Sequence, residues 1–356
     1  MVKTVMKKRN KNLTAFAIIL MSIAILYTIS LFIPLFWGLI TSLKNVSQFE
    51  GGWKDYDGGK ADVIGFPDMK YWTEFDFWVG LPQRNPGAWK KFDFIKNYNN
   101  IFGNYYVVFK GFSMKREAFS QSFYAGIFTK VKVPLKKGDI GFFDFVFNSV
   151  VYSVGNALVG AFMPCFMGYL CAKYKYKFSS LIYSLVIIVM VTPIYGTVPV
   201  VINLLRQIWF YDSFIGNFVH NAAGWGGMYF LIFYAFFTSL SDSYNEAAEV
   251  DGASQLMVMF KICLPLAIKM MMTIALIKFT GFFNDYSTPM LYLPSWPTLS
   301  LAIIRMQQSS NMLNGMLDKV PIKIAAVMFL AIPLLTIFVV FNKQLMGNIS
   351  MGGIKE

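Results

Sequence analysis

The chain has 356 residues, of which 56% are hydrophobic and 14% are charged, and its mean hydropathy is +0.50. Soluble domains carry about 25% charged residues, so this composition excludes an ordinary soluble enzyme as well as a disordered or collagen-like chain. The net charge of +13 does not indicate a nucleic-acid footprint, because the basic residues form no single stripe and the cytoplasmic flanks of membrane proteins also accumulate Lys and Arg.

The N-terminal segment predicts a basic tail followed by a membrane span. Residues 1–12 contain five basic residues and no acidic ones, and the apolar run 13–40 follows. A secretory signal has an apolar core of roughly 7–15 residues, whereas a spanning helix needs about 20. We therefore expect residues 1–12 to be a cytoplasmic tail and residues 13–40 to be transmembrane helix 1.

Residues 41–144 are more polar and contain clusters of Gly, Pro and aromatic residues. Because helix 1 starts inside, we expect this segment to be an extracytoplasmic insertion that is folded or packed on its own helices. A catalytic domain acting on polysaccharide is an alternative, since Glu74 and Asp76 offer paired acids, but acids at this spacing are common on any solvated surface.

From residue 145 the chain reads as a five-helix core that extends to residue 345. Apolar runs predict spans at 145–172, 178–205, 213–240, 267–293 and 321–341, with breaks in the second of these at Pro193 and Pro199. The lysines between residues 173 and 177 mark a cytoplasmic loop. Residues 346–356 form a short cytoplasmic tail. The predicted fold class is an all-α polytopic membrane protein with six transmembrane helices and both termini inside.

The predicted cytoplasmic segment 243–265 has the pattern of two short helices joined by a bend. Ser243 and Glu246 have the spacing of a capping box, and acidic residues early in a helix are favoured by its dipole. Gly252 can supply the bend, and Pro265 marks the approach to the next span.

The same segment resembles the EAA signature of binding-protein-dependent ABC importer permeases. In that signature EAA is followed after three residues by Gly and after nine more by Ile-x-Leu-Pro. This sequence matches the signature at Glu246, Ala247, Ala248, Gly252, Ile262, Leu264 and Pro265. The resemblance implies that these residues form the coupling segment that docks on an ATPase subunit. An amphipathic connector lying on the membrane surface is the structural alternative.

Other stretches resemble the carbohydrate branch of that family, in particular the maltose-type second permease. The matching elements begin at Asn148, Gly168 and Phe283, and a further one ends at Lys355, with Phe283 standing where the branch usually has Trp. Tyr98 to Phe102 resembles an element just outside the first span. The insertions 50–93 and 103–140 depart from the family, so the resemblance implies nothing about them.

The resemblance implies the type I ABC importer permease fold and a carbohydrate substrate, and among carbohydrates it favours an oligosaccharide. It further implies a second related permease, two ATPase subunits and an extracytoplasmic solute-binding protein in a bacterial cytoplasmic membrane. ATP and Mg²⁺ would bind to the ATPases, and this chain would bind no cofactor and catalyse no covalent chemistry. A permease for another polar solute, such as glycerol phosphate, and a stand-alone secondary transporter or channel remain alternatives.

Polar side chains inside spans are costly, and they either bind a neighbouring helix or face a transport path. Amide and aromatic groups suit sugars, because they combine planar hydrogen bonding with apolar faces. The candidates for the substrate path are Tyr195, Asn203, Asn217, His220, Asn221, Trp225, Asn284 and Asp285. The family match favours an architectural role for Asp285. Metal binding by His220 is not expected, because no second ligand stands at helical spacing, and the three cysteines are interpreted as packing residues.

Overall fold

A computed structural model describes residues 2–44, 49, 63–64, 103–112, 114–115, 139–174, 176–192, 196–308 and 319–347. Its elements in chain order are α1 (Val2–Ser42), α2 (Gly103–Gly111), β1 (Met114–Lys115), β2 (Asp139–Ile140), α3 (Phe142–Lys173), α4 (Lys177–Val191), α5 (Thr197–Gln207), α6 (Phe214–Ala223), α7 (Met228–Ser239), α8 (Ser243–Val250), α9 (Gln255–Val258), a π-helical turn (Met259–Cys263), α10 (Leu264–Asn284), α11 (Ser287–Tyr292), α12 (Leu299–Gln308) and α13 (Val320–Gly347). Most of the predicted insertion 41–144 lies outside these residues, and within the segment 50–93 only residues 63–64 are described.

The described part of the chain is helical apart from one two-residue antiparallel ladder, β1–β2, in which Met114 pairs with Ile140. Four of its helical stretches are long and apolar enough to cross a membrane, and two shorter apolar helices, α4 and α7, accompany them. The long stretches are Phe16–Ser42, Phe142–Lys173, Gln255–Asn284 and Val320–Phe341. The all-α polytopic membrane class is therefore confirmed.

The chain divides into two compact units, of which the first comprises residues 1–111 and 309–329. There the end of α1 is joined to α2 by Asn104, whose side-chain amide donates to the backbone carbonyls of Ser42 and Lys44. The Tyr105 hydroxyl lies 2.8 Å from Ser42 Oγ, and burial raises the pKa of Tyr105, so this phenol stays protonated at neutral pH. Helix α1 is longer than the predicted span, because its backbone includes residues of the basic tail.

The second unit, residues 112–308 and 330–356, is built around α3. Helix α3 packs most extensively against α10 and α7, and also against α6. Small residues on α3 permit this close approach: a Cβ added at Gly168 would lie 2.8 Å from Phe233 Cβ on α7. Helix α3 therefore packs one face against its neighbours and leaves its other apolar side chains available for contact with lipid.

Two of the predicted spans are each interrupted. The run 178–205 forms α4 and α5, and the break precedes Gly196, which has a positive φ of 77°. Pro199 does not break a helix, since it lies in the first turn of α5, where its missing N–H costs nothing. The run 213–240 forms α6 and α7, separated at Gly224–Gly227, where Gly227 has a φ of 136°.

The predicted span 267–293 also differs from a single helix. Helix α10 ends at Asn284, and the short helix α11 follows after Asp285 and Tyr286. The predicted outer connection contains a further helix, α12, whose residues Leu299 to Ile303 are all buried. The polar residues of this stretch lower its mean hydropathy, so the hydropathy pattern did not predict that α12 is a packed helix.

Helix α10 is entered through the π-helical turn Met259–Cys263, so that α9, the turn and α10 form one continuous helical stretch. Pro265 lies in the first turn of α10. A proline ring clashes with the carbonyl four residues earlier, which here belongs to Lys261 within the wider π turn. The π geometry therefore lets the chain pass Pro265 without ending the helix.

Candidate functional site

The segment 243–265 forms two short helices joined by a tight turn at Gly252. Helix α8 ends at Val250, and Gly252 follows with a φ of 78°, a region that residues with a side chain seldom adopt. The Gly252 N–H donates to the Glu249 carbonyl at 3.0 Å, and Ala253 N–H donates to the Ala248 carbonyl at 2.9 Å. Ser254 then caps α9 by accepting from Met257 N–H. The predicted bend is confirmed.

The start of α8 differs from the predicted capping box. Ser243 is the first residue of the helix, and Asp242 occupies the cap position, but its side chain accepts no hydrogen bond from the first turn. Ser241 Oγ lies 2.7 Å from Ser243 Oγ and accepts from the Ser243 N–H. The capping box of Ser243 with Glu246 is therefore wrong, because the preceding serine supplies the acceptor instead.

The inner face of the segment is anchored to the helices of the second unit. One buried cluster contains Ala161, Cys165 and Tyr169 of α3, Phe233 and Phe237 of α7, and Ala248, Val258, Met259, Cys263 and Leu264 of the segment. Ile262 is half-buried and packs on the same cluster. Hence Ala248, Ile262 and Leu264 of the signature are packing residues rather than surface contacts.

A charged anchor reinforces this packing at the end of α3. Lys173 Nζ lies 2.8 Å from Asp242 Oδ1 and donates to the Leu240 carbonyl at 2.8 Å. The Lys173 side chain is only 5% exposed, whereas the Asp242 side chain is 59% exposed, so this ion pair is shielded from solvent at its lysine end only. Tyr174 adds a hydrogen bond to Gln255 Oε1 at 3.3 Å. These contacts fasten the segment to the end of α3.

The outer face of the segment is exposed at its tip, which we define as residues 250–256 and which combines apolar Val250 and Leu256 with polar Asp251, Ser254 and Gln255. Val250 is 88% exposed and Leu256 is 67% exposed, on either side of Gly252. Glu246, Ala247 and Pro265 are exposed as well. Two apolar side chains are thus left uncovered at an otherwise polar tip.

Two of the candidates for the substrate path, Asn217 and Asn221, meet around Asn156 of α3. Asn156 Nδ2 donates to Asn217 Oδ1 at 2.7 Å, and Asn221 Nδ2 donates to the Asn156 carbonyl at 2.8 Å. Asn156 and Asn217 are buried and Asn221 is half-buried. Asn156 is a member of this cluster that the sequence reasoning missed, although its spacing from Tyr152 places it on the same stripe of α3.

The other candidates do not join this cluster. His220 stacks on Tyr292 with a ring separation of 5.1 Å, and Trp225 packs edge-on against Phe230 at 5.2 Å. Asn203 is exposed on α5, and Asn284 is exposed and donates to the Thr280 carbonyl of its own helix. Tyr195 lies outside the described residues.

Asp285 has an architectural position. Its Oδ1 accepts from the N–H groups of Ser287 and Thr288 at the start of α11, and its Oδ2 accepts from the Tyr152 hydroxyl at 2.8 Å. Its backbone carbonyl accepts from Ser300 Oγ at 2.7 Å. This one residue therefore joins α3, α11 and α12.

Lys278, a lysine within a predicted span, was not among the candidates identified from the sequence. Lys278 lies on α10 within the stretch Gln255–Asn284, and its Nζ lies 5.0 Å from the centroid of the Tyr229 ring. A charge inside an otherwise apolar run is the signal that would have identified it. Among the described residues no group of His, Cys, Asp and Glu is arranged to hold a metal ion.

A family model described as binding-protein-dependent transport system inner membrane component matches residues 165–346, which include the whole coupling segment. A probable ABC transporter permease of Pyrococcus horikoshii is 25% identical over 199 residues, which cover 55% of this chain and 70% of that protein. The arabinooligosaccharides transport system permease protein AraQ of Bacillus subtilis is 23% identical over 214 residues, covering 60% and 74% of the two chains.

The polygalacturonan/rhamnogalacturonan transport system permease protein YtcP of Bacillus subtilis is 26% identical over 227 residues, which cover 60% of this chain and 78% of that protein. A solved structure, a bacterial ABC transporter involved in the import of the acidic polysaccharide alginate, aligns with 74% of this chain and 99% of its own. That alignment has a TM-score of 0.45 and 19% sequence identity.

Proposed function

The chain belongs to the family of binding-protein-dependent transport system inner membrane components, and on that premise we propose that it is the permease subunit of an ATP-driven importer for an oligosaccharide. It would act with a second related permease, two ATPase subunits and an extracytoplasmic solute-binding protein. The complex would lie in a bacterial cytoplasmic membrane, with both termini of this chain in the cytoplasm. ATP and Mg²⁺ would bind to the ATPase subunits.

The observation that carries this proposal is the two-sided construction of the coupling segment. Its inner face is fixed by the buried cluster and by the Lys173–Asp242 ion pair, while its tip presents Val250 and Leu256 to the surroundings. A partner groove that covers the tip would bury these side chains, and each buried apolar side chain contributes about 1.5–3 kcal/mol. Exposed Glu246 adds a charge to the same surface.

The contacts of the segment support a mechanism of alternating access. When ATP draws the two ATPase subunits together, each would carry its docked coupling segment with it. The Lys173 contacts tie the segment to α3, and the buried cluster ties it to α7 and α10. The helices that enclose the asparagine cluster would therefore move with the ATPase. Because a packed core rearranges as rigid bodies, this movement would open the path to the outer side.

A carbohydrate substrate is supported by the chemistry of the helix interior and by the relatives. Asn156, Asn217 and Asn221 offer amide donors and acceptors, and Tyr229 offers an aromatic face close by. Sugars combine hydroxyl groups with apolar ring faces, which such groups match. AraQ and YtcP are named for the transport of oligosaccharides and polysaccharides.

Charge placed at the tip tests the docking surface. We expect Val250→Asp to reduce co-purification of the ATPase subunits with the tagged permease, because a carboxylate would be buried without a partner. The control is Ile64→Asp, which places the same charge at a residue that is 84% exposed and predicted to be external. Equal recovery of ATPase with Val250→Asp and wild type, at equal expression, would refute docking through the tip.

A further inference from the structure

Lys278 occupies an unusual position for a charged residue. It lies on α10 six residues before the helix ends at Asn284, which corresponds to about 9 Å along the axis. Ionisable residues within membrane-spanning helices almost always face the bundle interior or a water-filled cavity, because contact with lipid is costly. Lys278 is half-buried, so part of its side chain remains accessible.

Four helices of the second unit converge on this lysine. A Cβ added at Gly160 of α3 would lie 3.3 Å from Lys278 Cδ and 3.4 Å from Asn221 Nδ2 on α6. The ring of Tyr229 on α7 lies beneath the ammonium group. Gly160 therefore leaves the space in which the lysine stem and the Asn221 amide approach each other.

The ammonium group has an aromatic face but no counter-ion. Among the described residues no carboxylate forms an ion pair with Lys278, and its interaction is the one with Tyr229. Asp285, the acid in the same part of the sequence, accepts from Tyr152, Ser287 and Thr288 instead. The positive charge is thus available for an anion that is not part of this helix group.

A second unused group lies one helical turn from Gly160. Asn156 is fully buried, and its Oδ1 accepts no hydrogen bond within the described part of the chain, although its Nδ2 donates twice. Residues four apart on a helix share one face, so Asn156 and Gly160 point to the same side of α3. A buried acceptor without a donor is unfavourable, and a hydroxyl group would satisfy it.

We propose that Lys278 binds a carboxylate of the passing solute, so that the cargo of this permease is an acidic, uronate-bearing oligosaccharide. The ammonium would bind the carboxylate, the Tyr229 ring would contact the apolar face of the sugar, and half-buried Asn221 would bind a hydroxyl group. Asn156 is fully buried in this structure and would accept a hydroxyl group only after the surrounding helices move apart during transport. This inference rests on the proposed function, and it narrows the substrate from carbohydrates in general to those that carry a negative charge. A neutral sugar would leave the lysine without a counter-ion throughout transport.

The test uses the whole complex in proteoliposomes, with the solute-binding protein and ATP. The probes are trimers of galacturonate and of mannuronate, each paired with its neutral methyl ester of the same length. Uptake is divided by the loaded fraction of the binding protein, measured separately, because that protein also selects its ligand. The variants are Lys278→Met and, as the matched control on the same helix, the exposed Lys269→Met.

Wild type should import at least one acidic trimer faster than its ester. Lys278→Met should lower import of the acid about tenfold or more relative to import of the ester, since hydrogen bonds to charged groups contribute at least that factor. Lys269→Met should leave all rates unchanged. This change in selectivity separates a binding role from a structural one, which would lower every rate together.

Two results would overturn the inference: wild type that imports the neutral esters in preference to the acids, or Lys278→Met that imports the acids at the wild-type rate. If Lys278→Met does not assemble, the wild-type preference alone decides. ATP-driven import restricted to neutral sugars would contradict the inference and leave the proposed function standing. Absence of import of any loaded trimer would contradict the proposed function itself.

Discussion

The turn at Gly252 gives the sharpest prediction about the coupling segment. Proline fixes φ near −65°, about 140° from the φ of 78° that Gly252 adopts, and it removes the N–H that donates to Glu249. The lost hydrogen bond costs about 0.5–1.5 kcal/mol, and the cost of about 1–2 kcal/mol for an ordinary side chain in this region is a lower bound for proline, whose ring excludes this φ. The sum of about 1.5–3.5 kcal/mol lowers the population of the intact turn about tenfold to 400-fold.

We therefore expect Gly252→Pro to reduce ATP-driven uptake at least about tenfold while the permease still inserts, because the buried cluster holds both helices in place. The matched control is Gly252→Asn. Asparagine visits the left-handed region more readily than other residues with side chains, and no atom lies within 4 Å of an added Cβ. Uptake should be measured in membranes with equal amounts of each variant. Uptake by Gly252→Pro at the wild-type rate would show that this turn does not transmit motion.

Three further predictions concern packing and topology. Tyr152→Phe should lower the free energy of unfolding in detergent by about 1–3 kcal/mol, because Asp285 loses a donor, and an unchanged thermal midpoint would contradict the joining role of that contact. Gly168→Ala should lower the free energy of unfolding by about 1–3 kcal/mol, since its Cβ would lie 2.8 Å from a side chain of α7. The control Gly281→Ala has open space around the added Cβ and should leave that free energy unchanged. Equal thermal midpoints of the two variants would refute the close packing of α3 against α7. Ile64→Cys, in a background without the three native cysteines, should react with an impermeant maleimide in intact cells; labelling only after permeabilisation would reverse the predicted topology.

The coupling segment was largely predictable because its residues act locally. A single glycine, Gly252, was enough to predict the bend, and the structure has the bend at that residue with a positive φ. The roles of Ala248 and Leu264 as buried contacts required the tertiary structure, since both residues also suit an exposed helix face. The cap of α8 was mispredicted because the helix begins at Ser243 itself, so that Ser243 cannot be its cap and its N–H donates to Ser241 Oγ.

The interior of the helix group was less accessible to sequence reasoning. Hydropathy averages over a window, so it merged α4 with α5 and α6 with α7, although glycines at 196 and 227 mark the breaks. Asn156 and Lys278 lie on different helices, and only the packing of α3 against α10 brings their neighbourhoods together. Of the asparagines singled out in advance, Asn203 and Asn284 are exposed, because helical phase rather than residue type decides which side a polar group faces.

We expect ATP hydrolysis by partner subunits to drive import through this chain. This is tested by uptake of a radiolabelled oligosaccharide ligand of the binding protein into proteoliposomes that hold the complete complex, with ionophores collapsing all ion gradients. Accumulation should require ATP on the ATPase side and should fall at least about tenfold with Gly252→Pro. Accumulation without ATP, driven instead by an imposed ion gradient, would identify a secondary transporter and rule out an ATP-driven importer.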